Sequence, residues 1–386
     1  MITGTESVGL RAPLIKEGDD IVDIVVKTVL KVTENEKPYN SDWLDKKDRY
    51  NLHDKDIIGI TESVVARSQG NYVTIDEIAE KIKSKFGEHQ TIDLICPIYS
   101  RNRFAMILKG IARGCDKLRI LMPEVDEVGN VLRNHPFTKM NYDDYYTEIC
   151  KSENCEVEIY NTPTYLEHKG FLNLLFCQLH VEKEDAYKAL GLFMNSKVLN
   201  CYSLKDIFND RCEYGLLGSN KATEEKIKLF PSKRDMIVHG HLVLGSDSIV
   251  RHIKEKINEE TGRDVIVVVY ADGCFKDPVG GIWEFADPVS MVSYTDADII
   301  ESTPNEIKLK AFIDDYKGDE ENLSNYIMET VKNKENDLKG NMDSQGTTPR
   351  LIRDLVVSLM DLTSGSGDKA TPIVLVKNYF KNFAND

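Results

Sequence analysis

The sequence has 386 residues, of which 41% are hydrophobic and 29% charged, and it carries a formal net charge of −15. These proportions exclude the disordered and fibrous classes, and the length predicts two domains or one domain with a large insertion. The acidic balance argues against extended contacts with nucleic-acid phosphates, because such binding requires a basic surface.

No segment has the pattern of a secretory signal or a membrane helix. Residues 1–17 lack a basic start followed by an apolar run, and the apolar run 265–271 is far shorter than the ~20 residues that cross a bilayer. Cys150 and Cys155 lack the spacing of a zinc knuckle, and the eight cysteines form no CxxC pair, which favours reduced thiols. We therefore expect a cytoplasmic protein without membrane or nucleic-acid partners.

The first part of the chain predicts alternating helices and strands. Two aspartates at 19–20 precede apolar residues at helical spacing over 21–30, which predicts a capped helix. Residues 56–61 and 91–96 have the composition of strands, and residues 104–115 have the apolar spacing of a helix.

The amino-acid composition changes between residues 120 and 235, where prolines, tyrosines and asparagines interrupt short predicted elements. This part closes at 214–221 with a small-residue turn, after which we expect a charged helix. This part is therefore expected to be an insertion or a second domain.

The last third predicts a further set of regular elements. Residues 246–260 have the pattern of an amphipathic helix that Gly262 ends, and residues 264–271 that of a strand buried on both faces. The other expected elements are helices over 321–340 and 351–362 and a strand over 372–376. Together these elements predict an α+β fold in which helices flank mixed β-sheets.

The first candidate site is Asp272, at the tip of the buried strand and before a loop with Lys276 and Asp277. Strand tips are where α/β proteins place ligands, and a carboxylate there suits a hard cation such as Mg²⁺. An Asp-Gly pair is equally typical of a tight turn, and both interpretations stay open. We take Asp272, Lys276 and Asp277 as candidate catalytic residues and the two aspartates as candidate metal ligands.

The second candidate is the loop over residues 363–371, which alternates glycine and serine. Such a backbone lets N–H groups approach a phosphate closely. It lacks the order of a Walker loop, so a flexible connector is the alternative. The candidate nucleotide contacts in this loop are Ser364, Gly365, Ser366, Gly367, Asp368, Lys369, Ala370 and Thr371.

Two polar segments before predicted helices are candidates for binding anionic groups of a substrate. Gln345 and Arg350 precede the helix over 351–362, although a plain capping loop would have the same pattern. Arg101 and Arg103 follow a strand and suit carboxylate or phosphate recognition, with one of them expected to be only a surface charge.

A further pattern is His239-Gly240-His241, which alternates as a strand does. Both rings would then share one face and permit a metal site, but we favour an ordinary, partly buried strand over that function.

Four segments resemble the motifs of the gamma-glutamyl ligases that extend coenzyme F-420 with glutamate, using GTP and a divalent metal. They are residues 9–20, the segment TESVVARSQG at 61–70, the strand and loop at 264–278, and residues 364–376. The resemblance covers about 1–115 and 236–386, which implies that these two segments form one core and that residues 116–235 form an inserted subdomain. It implies a mixed-sheet α+β core, a nucleotide site, Mg²⁺ or Mn²⁺, and a homodimer.

The resemblance also assigns individual residues and shows departures. Asp272 would bind metal, whereas Tyr99 and Gly273 stand where the family has metal-site residues and Ser366 falls near its loop glutamine. Asp277 and Asp368 are the candidates to supply the missing carboxylates. The implied nucleotide pocket comprises the loop 364–371 with Ala12, Pro13, Leu14, Ile15, Glu62, Ser63, Arg67 and Asn102, of which Ser63 replaces a lysine.

The activity implied is a nucleotide- and metal-dependent amide ligase. GTP or ATP would phosphorylate a carboxylate, and the acyl phosphate would meet the amine of an amino acid such as L-glutamate, held by Arg101 or Arg103. The alternative is a protein that kept the pocket, binds a nucleotide or phosphate ligand and lost catalysis, which the departures at Tyr99, Gly273 and Ser366 favour.

Overall fold

The protein is described from a computed structural model. The described residues are 4–33, 51–95, 103–122, 133–135, 138–160, 173–176, 200–208, 211, 216–218, 226–238, 240–271, 274–276, 283–285, 291–338, 341–344, 351–365 and 368–384.

The described residues form strands and helices throughout the chain. The strands are β1 Glu6–Leu10, β2 Ile57–Thr61, β3 Tyr72–Thr74, β4 Thr91–Ile95, β5 Lys117–Leu121, β6 Glu156–Tyr160, β7 Asn173–Phe176, β8 Asn200–Ser203, β9 Leu216–Gly218, β10 Lys226–Leu229, β11 Met236–Val238, β12 His241–Val243, β13 Ile266–Tyr270, β14 Cys274–Lys276, β15 Trp283–Phe285, β16 Met291–Tyr294 and β17 Ile373–Lys377. The helices are α1 Ile21–Thr33, α2 Glu62–Ser68, α3 Ile75–Phe86, α4 Arg103–Arg113, α5 Tyr142–Ser152, α6 Leu204–Ile207, α7 Ser246–Thr261, α8 Ala297–Ile300, α9 Leu309–Asp315, α10 Glu320–Lys332 and α11 Ile352–Thr363.

The central sheet has the strand order β1-β17-β2-β13-β16, and only β2 and β13 run parallel to each other within it. Side chains alternate between its faces, as the pleat of a strand requires. Ile58 and Ile60 belong to the core shared with α1 and α7, whereas Ile57 belongs to a second core with Met360 of α11. The sheet is therefore covered by helices on both faces, which explains why β13 is buried along its whole length.

A second five-stranded sheet, in the order β6-β5-β4-β7-β8, is parallel throughout. This sheet joins β4, which lies before residue 115, to four strands that lie after residue 115. Every described strand of the central sheet lies outside residues 116–235. The predicted division at residue 115 stays a prediction, and the structure adds that β4 and β5 are hydrogen-bonded neighbours across it.

One continuous apolar core links the two sheets, and α3 and α4 pack closely within it. This core contains Ile60 of the central sheet, Ile92 and Leu118 of the parallel sheet, and Ile78 of α3. A Cβ atom added to Gly110 of α4 would lie 2.7 Å from the Cβ of Ile78. The glycine therefore permits an approach of the two helices that a larger residue would obstruct.

Several predicted elements are confirmed, including the α+β class with mixed sheets. The helix over 246–260 is α7, and Gly262 ends it in the left-handed conformation with a φ of 69°. The buried strand is β13, and the terminal strand is β17. Among the described residues, no helix is long and apolar enough to cross a membrane.

Other expectations were wrong in extent or type. The helix predicted over 321–340 ends at Lys332, because the chain leaves the helical conformation at Asn333. The expected turn at 214–221 includes β9, a strand that pairs with β10. Val238 pairs with His241 across a hairpin, and Gly240 between them has a φ of 83°, so His241 begins a second strand instead of continuing the first; His239 lies outside the described residues.

Candidate functional site

Strand ends from distant parts of the chain meet at one edge of the central sheet. Tyr270 at the end of β13 pairs with Thr61 at the end of β2. Ile373 at the start of β17 pairs with Ile60 of β2 and with Leu10 at the end of β1. We call this edge, defined by Leu10, Thr61, Tyr270 and Ile373, the site edge. The segments that leave or enter it are therefore neighbours, although they are hundreds of residues apart in sequence.

The loop before β17 is attached to the loop after β1. The backbone N–H of Ala12 donates to the carbonyl oxygen of Ala370 at 3.2 Å. Gly365 and Thr371 form an antiparallel bridge that closes the loop between them, and the N–H of Thr61 donates to the carbonyl oxygen of Pro372 at 3.0 Å. The structure thus brings together the two loops that the sequence predicted to contact a nucleotide.

Thr371 offers a buried hydroxyl at this edge. The residue is 9% exposed, and its Oγ1 has no hydrogen-bond partner among the described residues. A Cβ atom added to Gly9 would lie 3.1 Å from the Cβ and 3.2 Å from the Oγ1 of Thr371. Glycine at position 9 therefore keeps the space beside this hydroxyl open.

The loop residues differ in what their side chains contact. The Oγ of Ser364 donates to the carbonyl oxygen of Asp361 and its N–H to that of Met360, so it ends α11. Asp368 and Lys369 are exposed, and the stem of Lys369 lies against Gly365. Ala370 has a φ of 53°, a conformation rare for a residue with a Cβ.

Residues 12–15 also have distinct environments. Ile15 is 6% exposed and belongs to the core, whereas Leu14 is 85% exposed. Pro13 is exposed, and Ala12 is partly buried against the core. Backbone groups and exposed atoms of this loop are available to a ligand, but the Ile15 side chain is not.

Helix α2 begins directly after Thr61, so its first residues lie at the site edge. Glu62 is 6% exposed, and the Oγ of Ser63 accepts a hydrogen bond from the Nζ of Lys228. Arg67 is exposed and interacts with the hydroxyl of Tyr72. Burial raises the pKa of Tyr72, and the nearby Arg67 guanidinium opposes that shift.

Lys228 is a residue that sequence reasoning missed. It lies in β10, within the segment predicted to be an insertion, and is 8% exposed. In the sequence Lys226-Ile227-Lys228-Leu229, lysines alternate with apolar residues as on a half-exposed strand. That pattern predicts a solvated lysine face and contains no signal that α2 covers one of its lysines.

Many predicted site residues lie outside the described part of the chain. Lys276 is on β14 and Arg103 begins α4, but only their backbones are described. The catalytic and substrate-binding assignments therefore stay predictions. The predicted residues outside the described ranges are Tyr99, Arg101, Asn102, Asp272, Gly273, Asp277, Gln345, Arg350, Ser366 and Gly367.

No group of three or more His, Cys, Asp or Glu side chains suited to a metal occurs within the described ranges. Cys115, Cys150 and Cys155 are buried and free, and the Sγ atoms of Cys115 and Cys155 lie 3.9 Å apart. Burial raises the pKa of Cys150 to about 12, so its thiol stays protonated at neutral pH. These cysteines belong to the core.

The fold and the site edge define an α+β protein whose candidate site is built from loops at strand ends, the position that α/β sheets favour for ligands. Comparison with protein families extends this description. The chain matches the family described as F420-0:Gamma-glutamyl ligase over residues 9–378. It therefore belongs to the F420-0:gamma-glutamyl ligase family and is an enzyme of the ligase class. A comparison with curated proteins gives no significant match.

The matched span includes residues 116–235, where the sequence motifs showed no resemblance. The contact of Lys228 with Ser63 is consistent with this, because it joins the middle of the chain to the site edge.

Proposed function

We propose that the chain is an amide ligase that uses a nucleoside triphosphate, GTP or ATP, to join a carboxylate to the amine of an amino acid such as L-glutamate. One observation carries the proposal: the predicted nucleotide loops 12–15 and 364–371 meet at the site edge, next to the strand that leads to Asp272. Family membership supplies the reaction class.

In the proposed reaction, an oxygen of the carboxylate attacks the terminal phosphorus, and the nucleoside diphosphate leaves. The amine nitrogen then attacks the acyl carbon, loses a proton, and phosphate departs as the amide bond forms. Both steps depend on alignment and on neutralising phosphate charge more than on covalent help from the protein. The chain's part is to hold the phosphates and orient the two substrates.

Among the described residues, the groups that would hold the phosphates are hydrogen-bond donors and cations rather than a catalytic base. The Thr371 hydroxyl and the backbone of the closed loop between Gly365 and Thr371 would donate to phosphate oxygens. Lys369 and Lys228 would add positive charge nearby. Arg101 or Arg103 stays the predicted contact of the amino acid's carboxylates.

The proposal includes a divalent cation, Mg²⁺ or Mn²⁺, whose predicted ligands lie mainly outside the described ranges. Asp368 is the one predicted metal ligand that is described; it is exposed, and no suitable group of ligands surrounds it within the described ranges. The described residues alone do not form a metal site. Asp272 and Asp277 stay the predicted ligands.

Calorimetry and a ligation assay test the proposal together. We expect GTP or ATP to bind with Mg²⁺ present, and the purified chain to release phosphate only when both a carboxylate acceptor and L-glutamate are supplied. Binding of neither nucleotide would contradict the proposal. Binding without coupled phosphate release would instead favour a protein that kept the nucleotide site and lost catalysis.

We also propose that the chain forms a homodimer, and this proposal rests on the family resemblance alone. Sedimentation analysis of the purified chain measures it directly, and a single species with a mass near 43.8 kDa would contradict it.

A further inference from the structure

The hairpin formed by β11 and β12 is a small sheet of two strands. Three residue pairs join β11 to β12, and neither strand pairs with another strand among the described residues. A hairpin of this size is marginally stable in water unless other elements pack against it or extend it. Its outer edges carry backbone N–H and C=O groups with which a further strand can pair. The hairpin is therefore expected to gain stability from an additional strand.

Apolar side chains of this hairpin are exposed to solvent. Ile237 and Leu242 are directly opposite each other, and they are 67% and 66% exposed. Met236, Val238 and Val243 are only partly buried. Opposite residues of a hairpin lie on one face of it, so Ile237 and Leu242 form one continuous apolar surface. Single exposed apolar residues are ordinary, whereas grouped ones mark an interaction surface.

Hydrogen bonds hold the base of the hairpin in place. Asp235, before β11, accepts a hydrogen bond from the N–H of Gly245, after β12, at 2.7 Å. The Nε2 of Gln69, which is 2% exposed, donates to the carbonyl oxygens of Ser232 and Leu244 at 3.2 and 2.9 Å. Both ends of the hairpin are thus attached to the residue that follows α2. The apolar pair is presented on a fixed support before a partner arrives.

The hairpin also lacks charge in a strongly acidic chain. Residues 236–246 contain no Asp, Glu, Lys or Arg, although 29% of the chain is charged and its formal net charge is −15. Two copies with this net charge repel each other, so they associate most readily through a surface without carboxylates. A basic partner attracted to an acidic protein would instead be expected to meet acidic residues, and this segment has none. The composition therefore favours a second copy as the partner.

The edge of a β-strand is complementary to itself. In a two-fold dimer the same surface of both copies meets, and residues near the axis contact their own counterparts. Antiparallel pairing of two identical strands satisfies this symmetry and joins the backbone groups of the two edges. Two such hairpins would extend each other into one antiparallel sheet, with the two apolar pairs side by side.

We propose that the β11–β12 hairpin is the surface through which two copies of this chain associate, edge to edge and over the apolar pair Ile237 and Leu242. The inference rests on the homodimer of the proposed function and adds the location of its interface. The association covers side chains that are exposed in the single chain, so it depends on protein concentration.

Sedimentation analysis measures the dimer dissociation constant of the wild-type chain and of its variants. Ile237→Asp and Leu242→Asp place a carboxylate within the proposed interface of each copy. Both side chains are exposed, so the substitutions should leave the fold intact. Ile313→Asp is the matched control, because Ile313 is also exposed but lies on α9, outside the hairpin. Circular dichroism and thermal melting check that each variant folds.

We expect the dissociation constant to rise about 10-fold or more in Ile237→Asp and in Leu242→Asp, equivalent to about 1.4 kcal/mol or more. In Ile313→Asp it should stay within about 2-fold of the wild-type value, the range expected of a surface substitution outside an interface.

Hydrogen exchange of the wild-type chain is a second measurement that needs no variant. If the hairpin edges pair between copies, the backbone amides over 236–243 should exchange slowly at concentrations where the dimer forms. After dilution to the single chain they should exchange faster, because the edge amides then face water.

An unchanged dissociation constant in both folded hairpin variants would overturn the inference and leave the homodimer with an interface elsewhere. Exchange over 236–243 that does not depend on concentration in a dimerising chain would overturn it as well, whether or not the variants fold. A wild-type chain that stays monomeric at every concentration would overturn both the homodimer and the inference, whereas the ligation assay decides the ligase activity separately.

Discussion

Tyr270 and Thr61 are paired residues at the ends of two parallel strands, so the chain after Tyr270 begins beside the first turn of α2. Asp272 follows two residues later in the sequence, outside the described residues, and stays the predicted metal ligand. We expect Asp272→Asn to lower kcat at least about 100-fold, equivalent to roughly 2.7 kcal/mol of transition-state stabilisation. Its melting temperature should match wild type, because asparagine has nearly the size of aspartate. Full metal-dependent activity in the variant would contradict the assignment.

Thr371→Val separates ligand binding from stability. Valine keeps the shape of threonine and removes a hydroxyl that has no hydrogen-bond partner among the described residues, so we expect unchanged or slightly raised stability. Nucleotide affinity should fall about 2- to 10-fold, the value of roughly one hydrogen bond. A lower melting temperature with unchanged affinity would show that the hydroxyl serves the fold instead. Chemical denaturation and calorimetry on the same samples supply both measurements.

Gly110→Ala tests the close packing of α3 and α4. Alanine is the better helix former by about 1 kcal/mol, so a loosely packed site would become more stable. The added Cβ would instead lie 2.7 Å from both Cβ and Cγ2 of Ile78, and we expect a net loss of about 1–3 kcal/mol of unfolding free energy. The double variant with Ile78→Ala should show coupling, because it removes the atom Cγ2 that the new methyl group meets.

The pH dependence of stability should involve His53. Burial lowers the pKa of His53 below 6.5. The positive charges of Lys377 and Lys381 lower this pKa further, whereas the negative charge of Asp56 raises it. The unfolded chain therefore binds a proton more readily, so the contribution of His53 to stability is complete above about pH 6.5 and falls as the pH drops through the folded pKa. Melting temperatures from about pH 7.5 to about 5.5 should fall less in His53→Gln than in wild type. Equal slopes would contradict this assignment.

The sequence by itself determined the local elements and the family. Gly262 ended a helix because its φ of 69° is one that glycine adopts freely, and the apolar run before Asp272 predicted a strand covered on both faces. Short motifs such as TESVVARSQG indicated the family, because they consist of neighbouring residues and need no knowledge of pairing.

Only the tertiary structure decided which distant segments meet. The pairing of Leu10 with Ile373 joins strands more than 360 residues apart, and no local pattern encodes such a partner. It also decided the burial of Lys228, because alternation along β10 specifies two faces but not which of them another helix covers. Burial of that lysine beside Ser63 depends on the attachment of β10 to α2 through Asn71 and Gln69, which is a property of packing rather than of sequence spacing.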